Sequence, residues 1–253
     1  MAPRPQAAYT REFAPQYEAN IVPRFRPIAE RLAELAQPKA GDRVLELAGG
    51  TGGLTRLIAP RVDQVVLTDL SRPMLDVAAE ALARLKIRNV LRMTADLAAL
   101  PFSPGQFDLV VAQMSPLQER TAWLRSALAQ LRKGGRIAIA QWGAGLYSEV
   151  RLQQAVRAEL GLPPLVYGAN PKDTGRALRR LGLAKVAVEE ARIDQTWDDV
   201  ADYIRYRRSF GGPPLPPRQK ERLYRVLEEH AHRLARGGRL SLYWRVGYIT
   251  GRT

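Results

Sequence analysis

Cysteine is absent from the chain, and histidine occurs only twice, at His230 and His232. The first absence excludes disulfides and thiolate metal sites, and the second leaves too few imidazoles for a histidine-based metal centre or a Ser-His-Asp constellation. No metal is therefore expected. Lysine is scarce, confined to Lys39, Lys86, Lys133, Lys172, Lys185 and Lys220, so the formal charge of +14 rests on arginines spread along the sequence. There is no run of about eighteen apolar residues to span a bilayer, and the opening Met1-Ala2-Pro3-Arg4-Pro5-Gln6 lacks the apolar stretch of a secretory leader. A cytoplasmic protein is the expectation. With 253 residues, 46% of them hydrophobic, the chain is long enough for one sizeable core and an elaboration.

What is present is a run from Arg43 to Leu47 that reads as a buried strand, carries the acid Glu46, and breaks into Ala48-Gly49-Gly50-Thr51-Gly52-Gly53. Glycines turn the backbone sharply and let a ligand approach the main chain. The spacing of Leu54-Thr55-Arg56-Leu57-Ile58 predicts a helix whose first N–H groups face that ligand. About twenty residues beyond Gly49, Gln64 to Asp69 is a second apolar run closing on a carboxylate, where a nucleotide-binding sheet places the acid that accepts from both ribose hydroxyls. A third run, Val90 to Met93, leads to Asp96, an acceptor for an adenine amino group, with the neighbouring backbone N–H as donor. Phe107 to Gln113 follows Leu100-Pro101-Phe102, and Leu131 to Gly135 reads as a helix end with a glycine stop before Ile137 to Ala140.

These five blocks, in this order, resemble the core of the class I S-adenosylmethionine-dependent methyltransferases over residues 43–141. Leu45 to Gly52 is most similar to the ubiquinone/menaquinone-biosynthesis C-methyltransferases, and Asp69-Leu70-Ser71 with Met74 extends the match. The resemblance implies an α/β fold: a Rossmann-like, doubly wound, seven-stranded sheet, mostly parallel with an antiparallel last strand inserted between its neighbours, plus a helical lid. It implies S-adenosyl-L-methionine as cofactor, touched by Thr51, Asp69, Asp96, Leu97 and Gln113. Glu46, Ala48 and Gly49 would floor the methionine end, and Gly50, Gly52, Leu70 and Met74 belong to the same blocks. Plainer readings stand beside these: Glu46 paired with an arginine, Asp69 or Ser71 capping the helix near Pro73, Asp96 as a turn acid, Gln113 as a loop residue. Asp108 is read as structural.

A nicotinamide dehydrogenase is the competing class for the glycine turn, since Ala48, Gly50 and Gly53 fit its looser pattern. Against it stand the acid at Glu46, the Asp96 and Leu100-Pro101-Phe102 blocks, and the lack of a Tyr-x-x-x-Lys pair, Tyr147 and Tyr203 each being followed four residues on by arginine.

The expected organisation is an N-terminal helical cap over 1–40, a methyltransferase domain over 41–194 and 237–253, and a lid over 195–236. Tyr9, Phe13 and Tyr17 share one helical face, and Phe25, Ile28, Leu32 and Leu35 another. Phe210 to Pro217 reads as a hinge. Tyr17, Trp142, Tyr147, Tyr203 and Arg207 are the expected acceptor contacts, with Tyr167, Trp197 and Tyr206 as further rings and Arg207 pairing an anionic group. The segment Met114-Ser115-Pro116-Leu117 and the long lid depart from the quinone enzymes, which puts a quinone acceptor in doubt. No general base is assigned: Tyr147, Asp198 and Asp202 are conceivable, and His230 and His232 read as solvent-facing. The expected partner is a small-molecule methyl acceptor. An RNA acceptor held by Arg205, Arg207 and Arg208, and a cofactor-binding protein without transfer activity, are the alternatives.

Overall fold

In the computed structural model the described residues are 10–97, 99–114, 121–165, 170–210 and 215–253. Tyr9, Tyr167, Ser115 to Leu117 and the hinge residues 211–214 lie outside them.

The elements in chain order are α1 (Phe13–Asn20), α2 (Val22–Ala36), β1 (Arg43–Leu47), α3 (Thr55–Ile58), β2 (Gln64–Asp69), α4 (Arg72–Arg84), β3 (Val90–Thr94) and β4 (Phe107–Gln113). They continue with α5 (Thr121–Ala129), β5 (Leu131–Trp142), α6 (Ser148–Glu159), α7 (Pro171–Arg180), β6 (Ala184–Trp197), α8 (Val200–Arg208), α9 (Pro217–Leu234) and β7 (Leu240–Arg252). One seven-stranded sheet results, in the order β3-β2-β1-β4-β5-β7-β6. Strands β1 to β5 pair in parallel, and β7 enters antiparallel to both β5 and β6. This is the mixed doubly wound architecture expected from the residue blocks.

The runs of β1, β2 and β4 are almost wholly buried, as parallel strands must be when helices cover both faces of the sheet. The order reverses at β1, which has β2 on one side and β4 on the other: Glu46 stands level with Leu67 and with Val111. Ligands of open α/β sheets bind in the crevice at such a reversal, beyond the carboxyl ends of the strands. The edge strand β3 is largely exposed.

Three sequence expectations are corrected. The helix expected from Leu54 onward is one turn, α3, followed by a 3-10 turn over Ala59–Arg61, because Pro60 lacks the N–H that a longer helix would need. Gly134 and Gly135 do not stop a helix; α5 ends at Ala129, and both lie in β5 close to an irregularity in its pairing with β4. The sheet also takes Gln195 to Trp197 from the segment expected to be lid, since β6 runs on to Trp197 opposite Leu240.

Between β6 and β7, α8 and α9 pack on each other and against α6 and β7. Their contact surface is aromatic: Trp197 meets Tyr203 edge-on with ring centroids 4.9 Å apart, and Tyr206 stacks on Trp244 at 6.0 Å. Among the described residues no helix is long and apolar enough to cross a membrane.

Candidate functional site

The turn after β1 is held by the sheet itself. Gly49 N–H donates to the Thr68 carbonyl (3.0 Å) and Gly52 N–H to the Gly49 carbonyl (2.9 Å). A Cβ at Gly49 would stand 2.2 Å from Leu67 Cδ1 and 2.7 Å from Glu46 Oε1, so only glycine fits. Gly50 (φ 58°), Gly52 (φ 79°) and also Ala48 (φ 49°) take left-handed backbone, as does Met114 (φ 48°) just past β4. For a non-glycine residue this is strain, and both instances flank the crevice.

Asp69, at the end of β2, is bound directly to the turn: Oδ2 accepts the Gly50 N–H at 2.9 Å, and Oδ1 accepts the Ser71 N–H at 2.8 Å. The cap of α4 is Ser71, whose hydroxyl accepts from Met74 N–H at 3.3 Å. Burial raises the Asp69 carboxyl above its ordinary value, against the three backbone N–H groups of Ser71, Gly50 and Leu70. Glu46 is 1% exposed and accepts a hydrogen bond from the Thr55 hydroxyl, with no direct arginine partner among the described residues. Burial pushes its pKa up to about 8.

A cavity of about 450 Å³ opens on this turn, and Glu46, Ala48, Gly49, Thr51 and Gln113 form its floor. The cap helices roof it with Tyr17, Glu18, Val22, Phe25 and Arg26. The Thr51 hydroxyl is buried and has no hydrogen-bond partner among the described residues, and a buried hydroxyl in that state is costly unless a ligand meets it. Gln113 donates to the Phe25 carbonyl (3.2 Å), tying β4 to the cap. Met74 and Tyr17 close over Gly50, and Phe13 packs with both.

Other expected contacts are placed elsewhere. Leu70 is half-buried beside Asp69; Asp96 is exposed in a short bridge with Ala99; Leu97 is half-buried against the core on the opposite face of the sheet. Trp142, Tyr147 and Arg207 border a second cavity. Two expectations are corrected there. Arg207 is ion-paired to Glu149 at 2.9 Å and donates to Gln153 at 2.9 Å, so its charge is already answered. Tyr203 is fully buried against Trp197, because its helix turns that face to the lid core.

Sequence reasoning missed the ion pair of Glu18 with Arg56 (2.6 and 3.1 Å), the Thr55 bond to Glu46, and the part played by Phe25. Phe25 read as core because its spacing fits an amphipathic face, and nothing local marks which core residue borders a cavity. Asp108 is structural, as expected: it accepts the Arg43 N–H at 2.8 Å and pairs with Arg132. His230 is not simply solvent-facing; it meets Glu159 at 2.7 Å.

Residues 44–135 match a family model described as a methyltransferase domain. The chain is 38% identical over 116 residues to the ubiquinone/menaquinone biosynthesis C-methyltransferase UbiE of Pseudomonas savastanoi pv. phaseolicola, a match covering 43% of this chain and 45% of that one. The chain thus spans a little under half the length of the relative it matches. Among solved structures, the YcgJ protein of Bacillus subtilis aligns with a TM-score of 0.65 at 17% identity, over 89% of this chain and 97% of that one. A phosphoethanolamine N-methyltransferase 2 of Haemonchus contortus, solved with S-adenosyl-L-methionine, aligns at TM-score 0.64 and 17% identity over 98% and 58% of the two chains. Residues 44–135 thus match a methyltransferase-domain model, and the chain shares its fold with these two solved structures.

Proposed function

We propose that this chain is an S-adenosylmethionine-dependent methyltransferase acting on a small-molecule acceptor. The observation that carries the reading is the cavity at the strand-order reversal, floored by Glu46, a glycine turn that admits no side chain at Gly49, and the buried, unanswered Thr51 hydroxyl. These groups fit the cofactor. The two Asp69 oxygens accept the backbone N–H groups of Gly50, Ser71 and Leu70 and together keep lone-pair capacity for a ribose hydroxyl, and Glu46 supplies an acid for the cationic methionine end. When bound, the cofactor supplies an electrophilic methyl on a sulfonium with a neutral thioether as leaving group. The protein has to bind, orient and exclude water, and such positioning is worth roughly 7 to 11 kcal/mol.

The match to a C-methyltransferase supports carbon as the atom modified. RNA is the less supported acceptor: Arg205, Arg207 and Arg208 are each paired with an acid, Asp202, Glu149 and Glu221, which weakens the field a polyanion would meet.

Calorimetry tests the reading. S-adenosylmethionine and S-adenosylhomocysteine should bind one to one, and Asp69→Ala should weaken both by roughly a hundredfold, two hydrogen bonds to a charged group at about 1.5 kcal/mol each. Absence of binding by the native chain, or unchanged affinity in Asp69→Ala, overturns it. Labelled methyl should then pass to small-molecule pools and not to RNA.

A further inference from the structure

We propose that the second cavity, of about 290 Å³ between α6, α8 and α9, receives the methyl acceptor as an uncharged, ring-bearing molecule, and that Phe25 is the partition between it and the cofactor cavity. The inference rests on the methyltransferase reading above. The volume lies just below the range of ligand sites, roughly 300 to 1,000 Å³, so only a small acceptor fits.

The partition is a layer of rings in contact, with Phe25 on the cofactor side and Trp142 and Phe210 on the other. Phe25 borders the first cavity, while Trp142 and Phe210 border the second. The Phe25 ring lies 5.9 Å from Trp142, edge-on, and 6.1 Å from Phe210. On the far side Trp142 and Tyr147 lie nearly parallel, 24° apart with centroids at 6.3 Å, and Leu223, Leu227 and Val156 complete an apolar wall.

The buried charges in this wall, Glu149 and Arg207, answer each other, while the other lining cation, Arg157, is half-exposed and donates to the Pro163 carbonyl. Glu149 accepts from Arg207, Gln153 and the Trp244 indole N–H, and Arg207 also donates to Gln153. An anion reaching the buried Arg207 would have to displace Glu149 at 2.9 Å, and one at the outer Arg157 would have to compete with the Pro163 carbonyl; a neutral aromatic acceptor meets rings and aliphatic chains without breaking either contact. Methyl transfer needs the reacting atoms within about 3.5 Å of each other, so the Phe25 ring, the member of this layer that faces the cofactor cavity, must turn aside for the two ligands to meet. That makes Phe25 a positioning residue.

Two dyes sharing one aromatic skeleton serve as probes: neutral N-phenyl-1-naphthylamine and anionic 8-anilino-1-naphthalenesulfonate. The neutral dye should bind one to one with enhanced fluorescence, at least tenfold tighter than the sulfonate, and S-adenosylhomocysteine should leave its affinity within twofold. Leu223→Trp, and separately Leu227→Phe as the milder filling variant, should abolish or weaken dye binding at least tenfold while calorimetric S-adenosylhomocysteine affinity is kept. Phe25→Ala should couple the two ligands at least fivefold, with Phe25→Leu in between. Tighter binding of the sulfonate, displacement of the dye by S-adenosylhomocysteine in the native chain, dye binding that survives both filling variants, or independent binding in Phe25→Ala each overturns the proposal. Failure of S-adenosylhomocysteine itself to bind would instead count against the methyltransferase reading.

Discussion

The Thr55 hydroxyl donates to the Glu46 carboxyl group inside a wall that is 1% exposed at Glu46 and fully buried at Thr55. Burial is the largest influence on this acid and lifts it to about 8; the Thr55 bond and the Arg56 charge pull the other way, and the Asp69 charge adds to the rise. An acid whose folded pKa exceeds its unfolded value contributes stability that is fully present below the unfolded pKa and is lost as pH rises through the folded one. Stability of the ligand-free protein should therefore decline between about pH 4.5 and pH 8, and Glu46→Gln, which keeps an acceptor for Thr55, should flatten that part of the profile in urea titrations. A cationic ligand favours the carboxylate, so S-adenosylmethionine affinity should rise by up to about a decade per pH unit toward pH 8, one proton being released per ligand. Calorimetry in two buffers of different ionisation enthalpy reads that proton directly; equal apparent enthalpies would refute it.

The crowding around Gly49 sets a second expectation. A Cβ there meets Leu67 at 2.2 Å, whereas one at Gly134, whose φ is positive (77°), finds nothing within 4 Å. Gly134→Ala should cost only the left-handed backbone strain, about 1 kcal/mol. Gly49→Ala carries no such backbone strain but overpacks the turn, about 1 to 3 kcal/mol, and tilts the Glu46 carboxyl away from the cavity, so it alone should also reduce S-adenosylhomocysteine affinity. Equal melting temperatures and affinities for the two variants would sink the argument.

These two cases show why the glycine-turn half of the molecule was legible in the sequence. Strand, turn and acid are contiguous there: Glu46 to Gly52 and Gln64 to Asp69 fix their own geometry through local backbone, and a fixed spacing brings Asp69 to Gly50. Asp96 was harder, because the role of an exposed turn acid depends on a ligand. The lid was least legible. Arg207 reads as a free cation until the fold brings Glu149, 58 residues away, to its side, and Tyr203 reads as a pocket ring until Trp197 covers it. Long-range pairing of this kind leaves no periodic signal. The glycine stop at Gly134 failed for a related reason: a positive φ serves a helix end or an irregular strand equally well.

The cap should behave as a latch. Arg56 holds Glu18 of α1 with two hydrogen bonds, both side chains under 20% exposed, and its Nε donates to the Gly52 carbonyl at 3.1 Å. Glu18→Gln therefore loosens α1 and the glycine turn together. Hydrogen exchange over residues 13–20 should accelerate by about tenfold, and a double-mutant cycle with Arg56→Gln should return a coupling of about 1 to 2 kcal/mol. Unaltered exchange in α1 would show that the latch does not hold the cap.

The last expectation concerns Glu149 and Arg207, 4% and 21% exposed. A half-removed buried pair leaves an uncompensated charge, which typically costs about 3 to 5 kcal/mol, whereas removing both charges is often close to neutral. Arg207→Leu strands the Glu149 carboxylate among Trp244, Gln153 and apolar walls, so it should lower stability by about 3 kcal/mol in urea. Adding Glu149→Gln should restore most of that loss, because the glutamine carbonyl still accepts from the Trp244 indole and no charge remains to be desolvated. If Arg207 instead served an anionic ligand, the single substitution would leave the free protein's stability nearly unchanged and the second substitution would rescue nothing. The two outcomes differ at both steps, loss then recovery against no change at either, so one set of four denaturation curves decides between them.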